Sequence, residues 1–351
     1  MLSVSSKVLS LSAEAAVLVR GGRVIYANAL AEKMLGADCV GKGLRELFGC
    51  EIAEAQAGVF TADAVIAGKR RNLRTARLDD VQAFFVSEID LAPALVNDAF
   101  LYAMRSSMMN LQLSADLVRS RAEQLDDAQL PDLVRTAQRD LFRISRLLEN
   151  AAAVRGIAAG DLAFSPEAMD LTALCRGVID SVSLLRGDIR FSFYCEDTVC
   201  LRADRVLIEQ LLYNLLSNAL VHAEGCSQIA LSLMTTPTQV ILSVSDDGCG
   251  IPEEVMGHVF ERYRDGFAVS SLARGAGLGL SVVRGIAQLH EGTLMLESRR
   301  EGGVSARVSL MRTGGTQALS HAGAPENDMR KLLTQMSVCL PTEYYDAKYM
   351  D

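Results

Sequence analysis

The stretch Asp246-Asp247-Gly248-Cys249-Gly250-Ile251-Pro252 decides the fold of the C-terminal half. It directly follows two segments, Gln228 to Met234 and Gln239 to Ser245, in which apolar and polar residues alternate. Such alternation is typical of half-buried β-strands. Gly248 and Gly250 have no Cβ atom, so the backbone there can pass close to a bound molecule. The sequence therefore predicts a carboxylate and a glycine turn at the end of a sheet strand.

A helix that carries two asparagines is predicted before these strands. Asp204 suits its N-cap, and the apolar stripe that follows predicts a helix ending near His222. Asn214 and Asn218 are four residues apart, so their amide groups share one face of the helix. This spacing alone is weak evidence for a site.

Three glycines open another predicted helix further along the chain. They are Gly275, Gly277 and Gly279, and apolar residues continue the helical period to a stop near Gly292. The N-terminus of a helix presents backbone N–H groups and a partial positive charge, which suit phosphate oxygens. Residues Val304 to Leu310 then predict a closing strand.

Four motifs, in this order, resemble the ATP-binding domain of histidine kinases and of their gyrase, Hsp90 and MutL relatives. They are Asn214-Leu215-Leu216-Ser217-Asn218-Ala219, Asp246-x-Gly248-x-Gly250-Ile251-Pro252, Phe260-Glu261-Arg262-Tyr263 and Gly275-Ala276-Gly277-Leu278-Gly279-Leu280. The resemblance covers about residues 165 to 312. It implies a Bergerat-type α/β sandwich that binds ATP and Mg²⁺.

The resemblance also implies roles for single residues. Asp246 would accept a hydrogen bond from the adenine amino group. Asn218 would give Mg²⁺ an oxygen ligand, with Asn214 able to assist from one turn earlier. Residues 264–274 would form a mobile lid over the nucleotide. The implied nucleotide-binding residues are Asn214, Asn218, Asp246, Gly248, Gly250, Gly275, Gly277, Leu278 and Gly279.

One departure from the family pattern lies next to Asn218. Kinases of this family commonly have a lysine three residues after this asparagine, aimed at the phosphates, and this chain has Val221. Loss of a cation there removes charge stabilisation on which phosphoryl transfer depends.

Residues 96–156 predict two antiparallel helices. Apolar or small residues are spaced alternately by three and four, which is a heptad seam. Two copies would bury it as a four-helix bundle in a homodimer through residues 98–155, and a hairpin packed on its own chain is the alternative. The seam consists of Leu101, Met104, Met108, Leu111, Ala115, Val118, Ala122 and Leu125, then Val134, Ala137, Leu141, Ile144, Leu148 and Ala151.

This hairpin resembles, in position and length, the dimerisation and phosphoacceptor domain of histidine kinases. Ser106 stands in the slot of the phosphoacceptor histidine, Ser107 replaces the acidic residue that follows it, and Leu111 replaces a proline. Residues 91 to 160 contain no histidine. The resemblance therefore predicts dimerisation without autophosphorylation of a histidine in the hairpin.

Residues 1–95 predict a separate α/β unit. Strands at Val17 to Val19 and Val24 to Tyr26 flank a glycine turn, Asn28 suits the N-cap of a short helix, and Gly36 suits its stop. This order resembles the start of a PAS sensor domain, with Val81 to Ile89 as a later strand. A generic α+β domain is the alternative, and the ligand of a PAS-like unit is not identified.

Length and composition frame these units. The chain has 351 residues, more than one compact core usually holds, so we expect four segments. They are a PAS-like sensor (1–95), the helical hairpin (96–156), the ATP-binding domain (157–312), and a linker with a C-terminal tail (313–351). A frayed end is the expectation for Met329 to Asp351, and a short helix to Leu340 is the alternative. Half of the residues are apolar, 22% are charged and the net charge is −8, which indicates an acidic globular protein and argues against nucleic acid as a partner. The sequence has neither a long apolar stretch nor a signal peptide, so we expect a cytoplasmic protein without membrane insertion.

The sequence thus predicts a multidomain α+β protein of two-component signalling, and three functions remain open. The first is a pseudokinase, a nucleotide-gated binding scaffold whose partner is a response regulator or a true kinase. The second is an active kinase that phosphorylates Ser106, or a histidine of its own chain or of a partner. The third is a kinase of serine in regulatory proteins, as some relatives of this fold are.

Overall fold

The computed structural model describes residues 15–48, 59–66, 69–78, 81–88, 130–222, 225–252, 278–299, 302–312 and 328–346, together with residues 104, 108, 109, 111, 115, 118 and 256. These residues form two α/β units, one long helix and a folded C-terminal segment. In the part of the chain so described, no helix combines the length and the apolarity that crossing a membrane requires.

The first unit is a five-stranded antiparallel sheet with two short helices. Its strand order is β2-β1-β5-β4-β3. The Asn28 side chain accepts a hydrogen bond from the Ala31 backbone N–H, which confirms the predicted N-cap, and it also holds Ala16 of the first strand. The elements are β1 (Ala15–Arg20), β2 (Arg23–Ala27), α1 (Ala29–Leu35), α2 (Leu44–Phe48), β3 (Val59–Ile66), β4 (Lys69–Leu78) and β5 (Val81–Glu88).

The second unit is a mixed sheet covered on one face by three helices. Its strand order is β11-β12-β10-β9-β7, with β7 parallel to β9 and the other pairs antiparallel. The elements are β6 (Glu167–Asp170), α4 (Leu171–Leu185), β7 (Arg190–Cys195), β8 (Cys200–Ala203), α5 (Arg205–His222), β9 (Gln228–Thr235), β10 (Gln239–Asp246), α6 (Leu278–Leu289), β11 (Leu294–Ser298) and β12 (Val304–Met311). α5 and both predicted strands before Asp246 are confirmed.

The core of this unit explains why its helices and strands form. Alternate residues of β10, among them Val240 and Leu242, are fully buried. They contact α5 and α6 through side chains such as Leu211 and Ile286, which are also fully buried. Burial of each such side chain contributes roughly 1.5–3 kcal/mol, so this cluster holds the helices against the sheet.

The two sheets join edge to edge, which the sequence did not predict. β3 of the first unit pairs antiparallel with β11 of the second, in a register that sets Ala62 opposite Met295 and Val59 opposite Ser298. The result is one ten-stranded sheet. Met295 is buried in the apolar core of the first unit, so side-chain packing accompanies the backbone pairing.

The long helix α3 (Leu130–Ala159) carries two buried faces, of which one is apolar and the other mixes apolar and polar side chains. The part of the predicted seam that lies on α3 packs, at Leu148 and its neighbours, against the seam residues Met104 and Met108. A second stripe, spaced by four, four, four and three residues, was not predicted and is buried against the second unit and the C-terminal segment. It consists of Gln138, Phe142, Arg146, Asn150 and Ala153.

The C-terminal segment is folded from Asp328 to Asp346, so the prediction of a frayed end is wrong for these residues, and the alternative of a short helix from Met329 is confirmed. It contains α7 (Met329–Gln335) and a 3-10 helix (Thr342–Tyr345). The Tyr345 ring is fully buried, 5.3 Å from the ring of Phe142 on α3, and its hydroxyl donates a hydrogen bond to the Leu333 carbonyl (3.0 Å). Apolar side chains explain why the segment folds, because Leu333, Met336 and Tyr345 are buried in the main core.

This segment bridges α3 and the second unit. Arg143 of α3 donates a hydrogen bond to the Ser337 carbonyl (3.0 Å), and Arg186, which caps α4, donates one to the Cys339 carbonyl (3.0 Å). Lys331 forms an ion pair with Glu209 of α5. The segment therefore fixes α3 against the helices of the second unit.

Candidate functional site

Asp246, the last residue of β10, forms one end of the site. Its side chain is buried, and its Oδ1 atom accepts hydrogen bonds from the backbone N–H groups of Gly248 (3.0 Å) and Val304 (3.2 Å). Burial raises the pKa of Asp246, while the two backbone bonds oppose that shift. Among the described residues Oδ2 has no hydrogen-bond partner, so this oxygen can accept a hydrogen bond from a ligand.

Glycines bring the backbone close to Asp246. Gly303 has a φ of 84°, and a Cβ atom placed on it would lie 2.1 Å from the Asp246 carbonyl oxygen. Gly250 has a φ of 78°, and a Cβ there would lie 2.9 Å from the Ser298 hydroxyl. That hydroxyl accepts a hydrogen bond from the Ile251 N–H (3.0 Å). Gly303 and Ser298 were not predicted as site residues, although the Gly302-Gly303 pair was a signal for a close approach.

The neighbouring carboxylate, Asp247, has a different role. Its side chain is exposed and accepts hydrogen bonds from the backbone N–H groups of Ser227 (2.8 Å) and Gln228 (2.9 Å). The Ser227 hydroxyl is the largest of several donors that hold the pKa of Asp247 well below its usual range. Asp247 therefore ties the start of β9 to the end of β10 and points away from the buried end of the site.

Asn214 and Asn218 form the other end of the site, beside the first turn of α6. Asn214 is fully buried and Asn218 is partly exposed. A Cβ atom on Gly279 would lie 3.0 Å from the Asn214 Oδ1 atom and 3.4 Å from the Asn218 Oδ1 atom. The structure thus brings Asn214 and Asn218 next to Gly279, which Leu278 precedes at the start of α6, and nucleotide binding by these residues stays a prediction.

The helix α3 enters this end of the site, which the sequence did not predict. Asn214 Oδ1 accepts hydrogen bonds from Arg146 Nη2 (3.1 Å) and Asn150 Nδ2 (3.1 Å). These two bonds use both lone pairs of the amide oxygen. Asn214 can therefore ligate a metal only in an arrangement where α3 has moved away, and its role as an assisting ligand stays a prediction. The sequence does not predict Arg146 and Asn150 as site residues, because polar residues on a helix normally indicate a solvent-exposed face.

Several predicted site features lie outside the described residues. They are Ser106, Gly275, Gly277, the motif 260–263 and the lid 264–274. Val221, which replaces the lysine of the family, is the penultimate residue of α5 and adds no charge at this end of the site.

Comparison with known proteins identifies an ATPase domain of the kind that the sequence motifs resemble. The family model described as "Histidine kinase-, DNA gyrase B-, and HSP90-like ATPase" matches residues 203–314. The signal transduction histidine-protein kinase AfsQ2 of Streptomyces coelicolor is 29% identical over 200 residues, which are 57% of this chain and 36% of that protein. The sensor histidine kinase GtrS of Pseudomonas aeruginosa is 31% identical over 197 residues, 56% of this chain and 39% of that protein.

Among solved structures, the catalytic domain of histidine kinase ThkA is 29% identical and covers 42% of this chain and 96% of that domain, with a TM-score of 0.37. The matches span less than two fifths of the length of the two curated relatives. Residues 203–314 thus form a histidine-kinase-type ATPase domain, and the chain is similar to sensor histidine kinases over somewhat more than half of its length.

Proposed function

We propose that this protein is a histidine-kinase-like signal transducer that binds Mg-ATP between Asp246 and the Asn214–Asn218 face of α5. The buried Asp246 carboxylate carries the proposal. One of its oxygens is fixed by two backbone N–H groups, and the other is available to a ligand. A carboxylate accepts hydrogen bonds, so it suits the amino group of adenine and disfavours guanine, which has a carbonyl oxygen at that position.

The phosphate end fits the rest of the nucleotide. Asn218 offers an amide oxygen, a hard ligand of the kind that Mg²⁺ prefers. Gly279 has no side chain, so a phosphate can approach the backbone of the first turn of α6. When bound, ATP supplies a transferable phosphoryl group, and Mg²⁺ neutralises part of its charge.

The N-terminal unit is proposed as a PAS-like sensor and the hairpin as a dimerisation element. The order of strand, turn, strand, capping Asn28 and short helix supports the sensor. Contacts of Met104 and Met108 with α3 support a helical hairpin. Met109 and Leu111 of the first helix are more than half exposed in the single chain, so a second copy has apolar surface to cover.

The edge-to-edge sheet offers a route for a signal. β3 of the proposed sensor pairs with β11, and Ser298 at the end of β11 accepts the hydrogen bond from Ile251 in the adenine-side turn. A change in the backbone pairing of Val59 with Ser298 would therefore affect the turn at Ile251 directly, through the Ser298 side chain.

Phosphate transfer within the hairpin is not proposed, because Ser106 stands in the phosphoacceptor slot and Val221 replaces a cation. The partner is proposed to be a response regulator or another kinase that reads the nucleotide state. An active kinase that phosphorylates a histidine or serine on itself or on a partner is the alternative, supported by the adenine and glycine motifs.

The test is ATP binding and labelling of the purified chain with Mg²⁺ and ATP labelled on the γ-phosphate. Wild type should bind ATP and take up no label. Asp246→Ala should weaken binding by roughly 100-fold, since loss of a hydrogen bond to a charged group costs about 1.5–3 kcal/mol and two backbone donors lose their partner. The matched control, Asp247→Ala, should bind as wild type does.

Each other outcome has a definite meaning. Label that is stable to acid and absent in Ser106→Ala would establish the active serine-phosphorylating alternative. Acid-labile label would indicate a histidine outside the hairpin. Absence of ATP binding in wild type would refute the proposed function.

A further inference from the structure

Arg146 is a buried cation that forms no ion pair with any residue in the described part of the chain. Its side chain is 5% exposed. Among the described residues its hydrogen-bond acceptors are the neutral groups Asn214 Oδ1 and Ser217 Oγ, both bonded to Nη2, and its Nε atom has no partner. A buried charge is stabilised only when it is paired and fully hydrogen-bonded. The guanidinium group is thus well placed to pair with an anion.

The position of Arg146 indicates which anion this is. Its acceptor, Asn214 Oδ1, lies in contact distance of Gly279 in the first turn of α6, and Asn218 lies beside it. One atom, Asn214 Oδ1, therefore neighbours both the guanidinium group and the first turn of α6. An arginine fork suits phosphate oxygens, with which it forms two parallel hydrogen bonds.

The same end of the site lacks the cation that the family usually carries there. Val221 follows Asn218 on α5 in place of a lysine. Arg146 enters from a different element, α3, and brings a positive charge to the adjacent turn of α5, next to Asn214 and Ser217. A charge delivered by α3 is present only when this helix is docked, whereas a lysine on α5 would always be present.

We propose that Arg146 binds the terminal phosphate of ATP and so links the docking of α3 to the presence of a triphosphate. The inference rests on the proposed binding of Mg-ATP. On binding, the guanidinium group exchanges one of its neutral acceptors for a phosphate oxygen, and Asn150 keeps its hydrogen bond to Asn214. A diphosphate lacks this group, so it gains nothing from Arg146. The protein then distinguishes ATP from ADP by the position of α3.

The experiment measures the affinity of the full chain for Mg-ADP and for a Mg-bound, non-hydrolysable β,γ-imido analogue of ATP by calorimetry. The main variant is Arg146→Gln, which keeps N–H donors for Asn214 and Ser217 and loses the charge. It should bind the triphosphate at least about 10-fold more weakly and the diphosphate within about 2-fold of wild type, as for loss of one charge-assisted contact. Arg146→Lys should recover most of the triphosphate affinity.

The matched control is Arg139→Gln, on the same helix α3, whose guanidinium group pairs with Asp140 of α3 (3.3 Å) and, among the described residues, makes no hydrogen bond to the second unit or the C-terminal segment. It should leave the ratio of the two affinities unchanged. Near-ultraviolet circular dichroism and the thermal midpoint check that each variant is folded. If Arg146→Gln does not fold, Asn150→Ala provides a second reading: weaker docking of α3 should lower affinity for the triphosphate and spare the diphosphate.

Two results would overturn the inference while nucleotide binding stands. An equal loss of both affinities in Arg146→Gln would mean that the arginine only supports the fold. A gain in triphosphate affinity would mean that it blocks the site. If wild type binds neither nucleotide, the proposed function fails, and the inference fails with it.

Discussion

The two ends of the proposed nucleotide site differ in how they are built. The adenine end comes from β10 and the turns next to it, and its buried carboxylate is held by backbone N–H groups of Gly248 and Val304. The phosphate end comes from α3, α5 and α6, which are distant in the sequence. There a buried amide, Asn214, accepts hydrogen bonds from α3, and the acceptors that the described residues offer Arg146 are neutral.

This difference separates a preformed subsite from one that depends on docking. The adenine end needs no movement to accept a ligand. Which side chains form the phosphate end depends on whether α3 is in place. The C-terminal segment holds α3 there through Tyr345 and Ser337, and its Cys339 carbonyl anchors the segment to the cap of α4. Affinity for the base should therefore be insensitive to α3, and affinity for the phosphates should depend on it.

The largest expected effect follows from removing Tyr345. Tyr345→Ala should lower the free energy of unfolding by about 3–5 kcal/mol, because it empties a fully buried aromatic site between α3 and the C-terminal segment. Tyr345→Phe should cost only about 1 kcal/mol, for the hydrogen bond to the Leu333 carbonyl. Urea denaturation measures both changes, and hydrogen exchange should show α3 opening first in Tyr345→Ala. A change below 1 kcal/mol would contradict the role of the segment.

A second prediction tests the tight backbone contact at the adenine end. Gly303→Ala should cost about 2–4 kcal/mol of unfolding free energy, because its Cβ would lie 2.1 Å from the Asp246 carbonyl and its φ is 84°. Gly225→Ala is the matched control: its φ is 72° with no atom within 4 Å of the added Cβ, so only the backbone strain of about 1 kcal/mol remains. Equal costs in the two variants would show that the contact is absent.

A third prediction separates the ends by ligand. Asn218→Ala should weaken Mg-ATP binding by roughly 10-fold, about 1.4 kcal/mol, because a metal ligand is lost. Adenosine has no phosphate, so its affinity should be unchanged by the substitution and by removal of Mg²⁺. Calorimetry with and without a chelator measures this. A parallel loss of adenosine binding would mean that Asn218 shapes the whole pocket.

Much of the adenine end could be predicted from the sequence because it is local. Asp246, Gly248 and Gly250 lie within five residues, and the two strands before them have a clear alternation. The N-caps Asn28 and Asp204 were also predicted, since each acts on backbone a few residues away. Features of this kind follow from short-range sequence patterns.

The other features of the site and the fold depend on packing between residues far apart in the sequence, and polar side chains give no sign of such burial. Gln138, Arg146 and Asn150 look like a solvated face of α3, and each is buried once α3 meets α5 and the C-terminal segment. The pairing of β3 with β11 likewise has no marker in either strand, because main-chain groups make it. Ser106 and the lid lie outside the described residues, so their predicted roles stay predictions.

The smallest expected effect concerns pH and a contact at His290 between two helices of the phosphate end, α5 and α6. The His290 Nε2 atom accepts a hydrogen bond from the Asp204 N–H (3.0 Å), so Nδ1 carries the proton and donates to the Ile286 carbonyl (2.8 Å). The ring thus joins the start of α5, which bears Asn214 and Asn218, to the end of α6. Burial is the main cause of a lowered pKa for His290, since the charged form loses solvation.

A lowered pKa in the folded state means that the unfolded state binds more protons below about pH 6.5, so acidification removes stability. Between pH 7.5 and 5.5, wild type should lose about 1 kcal/mol more unfolding free energy than His290→Gln, which does not titrate and keeps an acceptor for Asp204. If the unfolding free energy of His290→Gln had the same pH dependence as wild type, the stability lost on acidification would come from groups other than His290. The contact between α5 and α6 would then be insensitive to pH.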